Sequence, residues 1–239
     1  MYSRICVLAK RELAAFFYSP IAYVVSAVFL AVSGVFFAGE IFVPGREAQI
    51  RDLFDRQAFI LVFILPMLTM RIISEEIRSG TIETLMTAPV RDFEVILGKF
   101  LGTLFFYTAM LIPTLLYAFM VIGYGHADIG PIVSGYIGLL LVGGFYISVG
   151  TLTSCMTKNQ VISAVLAFLI LSMFTFLLWG IRSSLTGTWQ NILQTVNVYE
   201  RFSEFSRGLL DIKNVIFFIT VTSGILFIAV KILESRRWR

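Results

Sequence analysis

Few side chains in this sequence have the type and spacing that catalysis requires. The chain has one histidine, His126, and two cysteines, Cys6 and Cys155, and their spacing suggests neither a metal site nor a disulfide framework. An intramembrane enzyme would need a nucleophile beside a base, or a metal cluster, within its spans. We therefore expect the chain to hold no metal and not to be an enzyme.

The chain contains one Gly-Lys pair, Gly98-Lys99, which is the pair that phosphate-binding loops use in the pattern G-x-x-x-x-G-K-[ST]. Phe100 stands where that pattern needs serine or threonine, and Phe93 stands at its first glycine. An ATPase site is therefore not predicted, and we expect the chain to bind no cofactor of its own.

Residues 74–90 have the pattern of a binding element. Gly80 permits a sharp turn, Thr81 is of a type that caps a new helix, and Pro89 cannot continue that helix. We therefore predict a short helix over residues 81–88.

This short helix is predicted to be amphipathic. Ile82, Leu85 and Met86 have helical spacing and form a small apolar face, whereas Glu83 is polar. A helix of about two turns is marginal alone, so its apolar face needs a partner. The pattern leaves two partners open, the membrane surface and a groove of another protein. Beyond the loop, Asp92 is placed to cap the next helix.

The composition places these elements in a membrane protein. Hydrophobic residues make up 58% of the 239 residues and charged residues only 14%, whereas about a quarter of a soluble domain is charged. The mean hydropathy is +0.87. Because a spanning helix needs about 20 apolar residues, the uncharged runs are long enough to be helices in lipid. We predict one all-α membrane domain over residues 1–239, with transmembrane helices at residues 21–39, 57–73, 95–122, 131–154, 161–181 and 214–233.

Prolines and small residues modify these six predicted spans. Pro66 and Pro113 fall inside the second and third spans, where each is expected to kink its helix. Small residues recur every four positions in the fourth span, at Gly130, Ser134 and Gly138, and such a stripe lets helices approach closely in lipid.

Basic residues flank the uncharged runs and predict the orientation. With the N-terminus inside, twelve of the 19 basic residues are cytoplasmic and seven are outside. This bias favours both termini in the cytoplasm. The basic residues form no single patch, so nucleic-acid binding is not expected.

Two further segments have amphipathic patterns. Residues 1–19 have one apolar face, and Pro20 marks a bend into the first span; an interfacial helix is predicted, with a plain extension of that span as the alternative. The residues of this face are Ile5, Ala9, Leu13 and Phe16. In the long outer segment, residues 182–213, a helix with a second apolar face is predicted. The residues of that face are Val198, Phe202, Phe205 and Leu209.

The loop pattern resembles a known family. The run Glu75-Glu76-x-Arg78-x-Gly80-Thr81-x-Glu83-x-Leu85, ending Ala88-Pro89-Val90, resembles the signature of ABC-2 type permeases, above all the gliding-motility-associated and nitrous-oxide-maturation branches. The segment from Tyr199 to Asp211 also resembles the gliding-motility branch. The resemblance implies an ABC-2 or type V exporter-like fold, in which residues 1–19 form an elbow helix.

The resemblance also implies how the chain works. The helix at residues 81–88 would be a cytoplasmic coupling helix seated in a cleft of a separate ABC ATPase subunit, which would hold the ATP and Mg. Within this motif, Arg78 and Glu83 would brace the contact and the apolar face would fill the cleft. The coupling residues are Arg78, Gly80, Thr81, Ile82, Glu83, Leu85, Met86 and Pro89. The outer helix would dip into the outer leaflet and help to close the channel, although a helix resting on lipid is the alternative.

The implied assembly is a permease dimer, made with a second copy or a related permease, in a bacterial inner membrane. Three other functions stay open. A secondary transporter without an ATPase partner would keep charges and repeats inside the membrane, and the sequence shows neither in the cores of spans three to six. An intramembrane enzyme is the second, and the third is a subunit that moves no cargo and passes ATP-driven motion to periplasmic or envelope proteins.

Overall fold

The computed structural model describes residues 2–41, 50–81, 90–124, 128–177 and 197–237. A 3₁₀ turn, Ile112–Thr114, joins α5 to α6, and a π-helix, Met173–Leu177, continues α8. The α-helices are α1 (Tyr2–Phe17), α2 (Pro20–Ile41), α3 (Ile50–Thr69), α4 (Ser74–Ser79), α5 (Asp92–Leu111), α6 (Leu115–Tyr124), α7 (Ile129–Met156), α8 (Gln160–Ser172), α9 (Val198–Ser206) and α10 (Ile212–Arg237).

Five helical segments in the described ranges are long and apolar enough to cross a membrane. They are Pro20–Gly39, Arg51–Ser79, Asp92–Gly123, Ile129–Met156 and Ile212–Ser235. A shorter apolar helix, Gln160–Thr175, begins where the fifth predicted span begins. Because residues 178–196 lie outside the described residues, the count of six spans stays a prediction.

The second span differs most from its predicted bounds of 57–73. Its helix α3 begins at Ile50, and the α-helical pattern stops at Thr69, before a turn leads into α4. The early start has a simple cause: the polar residues before position 57 continue the helix beyond the apolar run used to predict it. Pro66 does not interrupt α3, so a kink there stays a prediction, whereas Pro113 lies in the 3₁₀ turn that separates α5 from α6.

The predicted cap of the third span is corrected by one residue. Helix α5 begins at Asp92, and Arg91 takes the cap position in extended conformation. The backbone N–H of Arg91 donates to Glu94 Oε2 over 3.1 Å. The glutamate in the first turn thus provides an acceptor for a backbone N–H group at the helix start, where such groups have no partner within the helix.

Helices α3 and α7 form the centre of the bundle, and α2 and α10 lie at its edge. In the most apolar part of each segment, 72% of residues are buried for both α3 and α7, against 28% for α2 and 22% for α10. Large apolar side chains of α2 and α10 are exposed, among them Val24, Val35, Ile219 and Phe227. Such a surface matches a hydrocarbon surrounding, which is consistent with a multi-pass membrane protein.

Glycines of α7 allow neighbouring helices to pack against its backbone. A Cβ built on Gly143 would lie 2.1 Å from Cε1 of Tyr107, whose hydroxyl donates to the carbonyl of Leu139 over 2.8 Å. A Cβ on Gly150 would lie 2.0 Å from Oγ1 of Thr69. These positions therefore require glycine, because any side chain would displace α5 or α3.

Two of the three small residues predicted as a packing stripe in α7 contact a neighbouring helix. Gly138 accepts a large side chain from α9, and Ser134 binds the α9 backbone. Gly130 has no atom within 4 Å of an added Cβ.

Replacing Gly143 by alanine is expected to destabilise the fold by about 1–3 kcal/mol, because the added methyl group overlaps the buried Tyr107 ring. Gly144→Ala is the matched control, since its Cβ would meet its nearest atom, Cδ1 of Leu104, at an ordinary 3.8 Å. Thermal unfolding of both variants in detergent checks this. Equal melting temperatures for the two variants would contradict the packing described for α7.

Candidate functional site

A buried lysine joins three segments at the predicted cytoplasmic end of the bundle. Lys99 lies in the second turn of α5 and is 3% exposed. Its ammonium nitrogen lies 2.8 Å from Glu76 Oε1 of α4 and 3.2 Å from Glu12 Oε2 of α1, and it donates to the carbonyl of Ile72 over 2.8 Å. These contacts use the three protons that an ammonium group offers. The group Glu12, Ile72, Glu76 and Lys99 is termed here the lysine junction.

Two glycines let α1 approach α5 closely enough for this pairing. A Cβ on Gly98 would lie 2.6 Å from Leu8 Cβ, and a Cβ on Gly102 would lie 2.8 Å from the carbonyl of Ala9. The spacing of four residues places both glycines on one face of α5. Because Lys99 follows directly on Gly98, the close approach also brings α1 within reach of its ammonium group.

The apolar face of α1 packs against the helical bundle, whereas the sequence pattern predicts a helix lying on the membrane surface. Ala9 and Phe16 are buried, Leu13 packs against the core, and Ile5 is partly buried. The ring of Phe16 stacks on that of Phe106 in α5, with 5.1 Å between ring centroids. The face is therefore occupied by α5, and the position of α1 on a membrane surface stays a prediction.

A serine of α7 provides the cap that α4 lacks. No side chain of its own segment caps α4, whose preceding residue is Ile73. The buried Ser154 Oγ instead accepts hydrogen bonds from the backbone N–H groups of Ile73 and Ser74, each over 3.0 Å. First-turn N–H groups of a helix need such acceptors, so α4 is anchored to α7 at its start.

Only the first part of the predicted coupling element lies in the described residues. Arg78 is exposed on α4, and Gly80 ends that helix with φ 74°, a backbone conformation that favours glycine. Thr81 is exposed, and its hydroxyl lies 2.9 Å from that of Ser79. The remaining predicted residues lie outside the described residues, so the helix at 81–88 stays a prediction. They are Ile82, Glu83, Leu85, Met86 and Pro89.

The lysine junction is not predicted from the sequence. Lys99 is one of the basic residues that flank the uncharged runs, although it falls inside the third predicted span by number. A lysine within a span needs a carboxylate partner, which was one available signal. The other signal was the Gly98-xxx-Gly102 spacing, which indicates a close helix contact.

The outer helix is shorter than its predicted face. Helix α9 ends at Ser206, and Gly208 follows with φ 89°, so Leu209 lies beyond the helix and is exposed. The predicted apolar face therefore contains one member too many, because Leu209 lies three positions beyond the end of α9. The other three residues of the face are buried within the described bundle: Val198, Phe202 and Phe205.

Helix α9 is anchored to α7 through its buried face. Ser134 Oγ donates to the carbonyl of Phe205 over 2.8 Å. A Cβ on Gly138 would lie 2.7 Å from Phe205 Cβ, so glycine is needed for this close contact. At its start, Asn197 Oδ1 caps α9 by accepting from the backbone N–H of Tyr199 over 2.9 Å.

A polar group also ties α9 to α10. Arg201 donates to Asn214 Oδ1 over 2.7 Å, and its guanidinium lies 4.0 Å from the ring centroid of Phe217. Asn214 in turn donates to the carboxylate of Glu204. Tyr199 of α9 is influenced by α3. Burial raises the pKa of the Tyr199 phenol, and the Asp55 carboxylate of α3 raises that pKa further. The phenol is therefore neutral. Helix α9 therefore has polar neighbours on α10 and α3 as well as apolar ones on α7.

Comparison with known protein families gives one match. Residues 58–196, more than half of the chain, match the model described as ABC-2 family transporter protein. The matched segment runs from α3 to α8 and includes α4, Ser154 and Lys99 of the lysine junction. No curated protein matched the chain.

Lys99→Met is expected to lower the free energy of unfolding by about 3–5 kcal/mol, because it removes the buried cation that Glu12 and Glu76 share and leaves only the exposed Arg11 beside Glu76. Lys231→Met is the matched control: its ion pair with Glu234 is equally short at 2.7 Å, but its side chain is 57% exposed, so the loss is at most about 1 kcal/mol. Thermal unfolding in detergent measures both. Similar losses would refute a special role for the lysine junction.

Phe205→Ala is expected to destabilise the protein by about 3–5 kcal/mol, since it empties a fully buried site over Gly138. Leu209→Ala should change the stability by less than about 0.5 kcal/mol, because Leu209 is 60% exposed. Unfolding curves of the two variants distinguish the observed end of α9 from the longer predicted face. A large loss of stability in Leu209→Ala would instead support the longer predicted face, which includes Leu209.

Proposed function

The chain belongs to the ABC-2 family of transporter proteins, and on this premise we propose that it is the permease subunit of an ATP-driven exporter. A separate ABC ATPase subunit binds ATP and Mg and hydrolyses the ATP. This chain converts the resulting motion into export of a substrate, or into other conformational work across the membrane.

The observation that carries the proposal is the attachment of α4. The predicted coupling element follows directly on α4, and α4 is bound at its start by Ser154 and along its length by Lys99. A displacement of the segment 82–89 would therefore be passed to α7 through Ser154 and to α5 and α1 through the lysine junction. Chains of packed side chains, hydrogen bonds and rigid helices are the kind of connection that carries coupling between distant sites.

The outer helix α9 is proposed as the gate at the opposite end of the path. It packs on α7 through Phe205 and on α10 through Asn214, and its predicted side of the membrane is the outer one. Because α7 contacts both α4 and α9, a shift of α7 would reach both ends of the channel.

The proposed assembly follows the family. Two permease subunits, either two copies of this chain or this chain and a related permease, would pair with two ATPase subunits in a bacterial inner membrane. Both termini and residues 82–89 would face the cytoplasm, and the exposed apolar sides of α2 and α10 would face lipid. Periplasmic or envelope proteins are possible additional partners on the outer side.

A first experiment tests the ATPase partner. The tagged chain, expressed in its native host, is expected to co-purify with a protein that carries a Walker motif, and the complex should hydrolyse ATP faster than the ATPase alone. A chain that purifies without any such ATPase would count against the proposal.

Glu83→Lys in that complex is expected to abolish the permease-stimulated part of the ATPase rate while leaving membrane insertion intact, because it reverses a charge at the proposed contact. Glu234→Lys is the matched control, since it makes the same change in an exposed ion pair near the end of α10. Rates measured in vesicles with both variants decide the point. Full stimulation in Glu83→Lys would remove the coupling role from residues 81–88.

A further inference from the structure

A polar cleft lies beside the lysine junction. It has a volume of about 330 Å³ and is bounded by α1, the turn between α3 and α4, and α5. This volume is within the range of about 300–1,000 Å³ that is usual for ligand sites. Its charged residues are three basic and three acidic side chains: Arg11, Arg71, Lys99, Glu12, Glu75 and Glu76.

Some of these charges are already compensated and some are not. Lys99 is paired with Glu12 and with Glu76 Oε1, and the guanidinium of Arg11 lies 3.7 Å from the same Glu76 oxygen. The other oxygen, Glu76 Oε2, is buried and does not face the cleft. Within the described part of the chain, Arg71 makes a cation–π contact with Phe16 at 5.7 Å but no ion pair, and the exposed Glu75 makes no ion pair either. The cleft therefore offers the guanidinium of Arg71 and the carboxylate of Glu75 as charges without an ion-pair partner.

Two charges of opposite sign select the ligand. A purely anionic ligand would be attracted by Arg71 but repelled by Glu75 and Glu76, and a purely cationic ligand would meet the reverse. A ligand with a phosphate and an ammonium group satisfies both, because arginine binds phosphate as a fork and a carboxylate accepts from ammonium.

The surroundings of the cleft identify a lipid as the source of that ligand. The apolar part of α3 ends at Thr69, and Arg71 lies two residues beyond that end, where a long basic side chain reaches the headgroup region. Ser19 lines the cleft, and the exposed apolar stripe of α2 begins two residues later. That stripe has helical spacing at Ile21, Val24 and Val28. A headgroup in the cleft could thus leave its acyl chains along α2.

We propose that this cleft binds the headgroup of an aminophospholipid, with the phosphate on Arg71 and the ammonium on Glu75. The bound lipid fixes α1 and α4 against each other beside the lysine junction. The proposal rests on the membrane location of the chain and is independent of any ATPase.

The test uses the purified full chain in detergent and phosphatidylethanolamine as the probe. At about ten times its dissociation constant, this lipid should raise the melting temperature by about 3–6 °C. Phosphatidylglycerol, which lacks the amine, and phosphatidylcholine, whose amine cannot donate hydrogen bonds, should each raise it less. Equal shifts with the three lipids would overturn the proposal, and so would an equal shift with free phosphoethanolamine, which would identify a soluble ligand instead.

Two variants assign the contacts, with native mass spectrometry as the measure of lipid affinity. Arg71→Gln should weaken phosphatidylethanolamine binding by about tenfold or more. Lys158→Gln, which removes an exposed charge of the same sign on the same predicted side, should leave it unchanged. Glu75→Gln, at an exposed position, should reduce the preference for phosphatidylethanolamine over phosphatidylglycerol. If Arg71→Gln does not fold, Glu75→Gln decides alone, and an unchanged preference refutes the site.

Discussion

The ammonium group of Lys99 is withdrawn from water at the point where α1, α4 and α5 meet. A buried cation is tolerated only with compensating acceptors, and here they come from two other helices and from a backbone carbonyl. None of the three segments can move away from the others without leaving a charge uncompensated. This constraint makes α4 a fixed part of the bundle, although six residues alone would not form a stable helix.

Helix α7 relates this arrangement to the other end of the molecule. Ser154 holds the start of α4, and Ser134, twenty residues and therefore about 30 Å away along the same helix, holds α9. Between them, Gly143 and Gly150 bring α5 and α3 against the α7 backbone. Close backbone packing leaves little room for independent sliding, because protein interiors are packed at nearly crystalline density. The bundle therefore has one long, buried element through which both ends are connected.

The sequence was sufficient where one local property decides the structure. Apolar runs predicted the five described segments that are long and apolar enough to cross a membrane, and helical spacing identified Ala9 and Phe16 as members of one apolar face of α1. It was insufficient where the outcome depends on partners distant in the chain: Lys99 meets residues 87 and 27 positions away. Leu209 shows a different cause, because a spacing rule cannot register that Gly208 has already reversed the backbone. The coupling helix and the end of the fifth span stay predictions, because residues 82–89 and 178–196 lie outside the described residues.

The π-helix at Met173–Leu177 changes how the sequence of α8 should be projected. A π-turn accommodates one residue more than an α-turn, and one residue corresponds to about 100° of rotation about the helix axis. Positions within Met173–Leu177 are therefore out of phase with a regular helical wheel drawn over Gln160–Ser172. Substitutions chosen from such a wheel would address a different face within the π-helix than within α8.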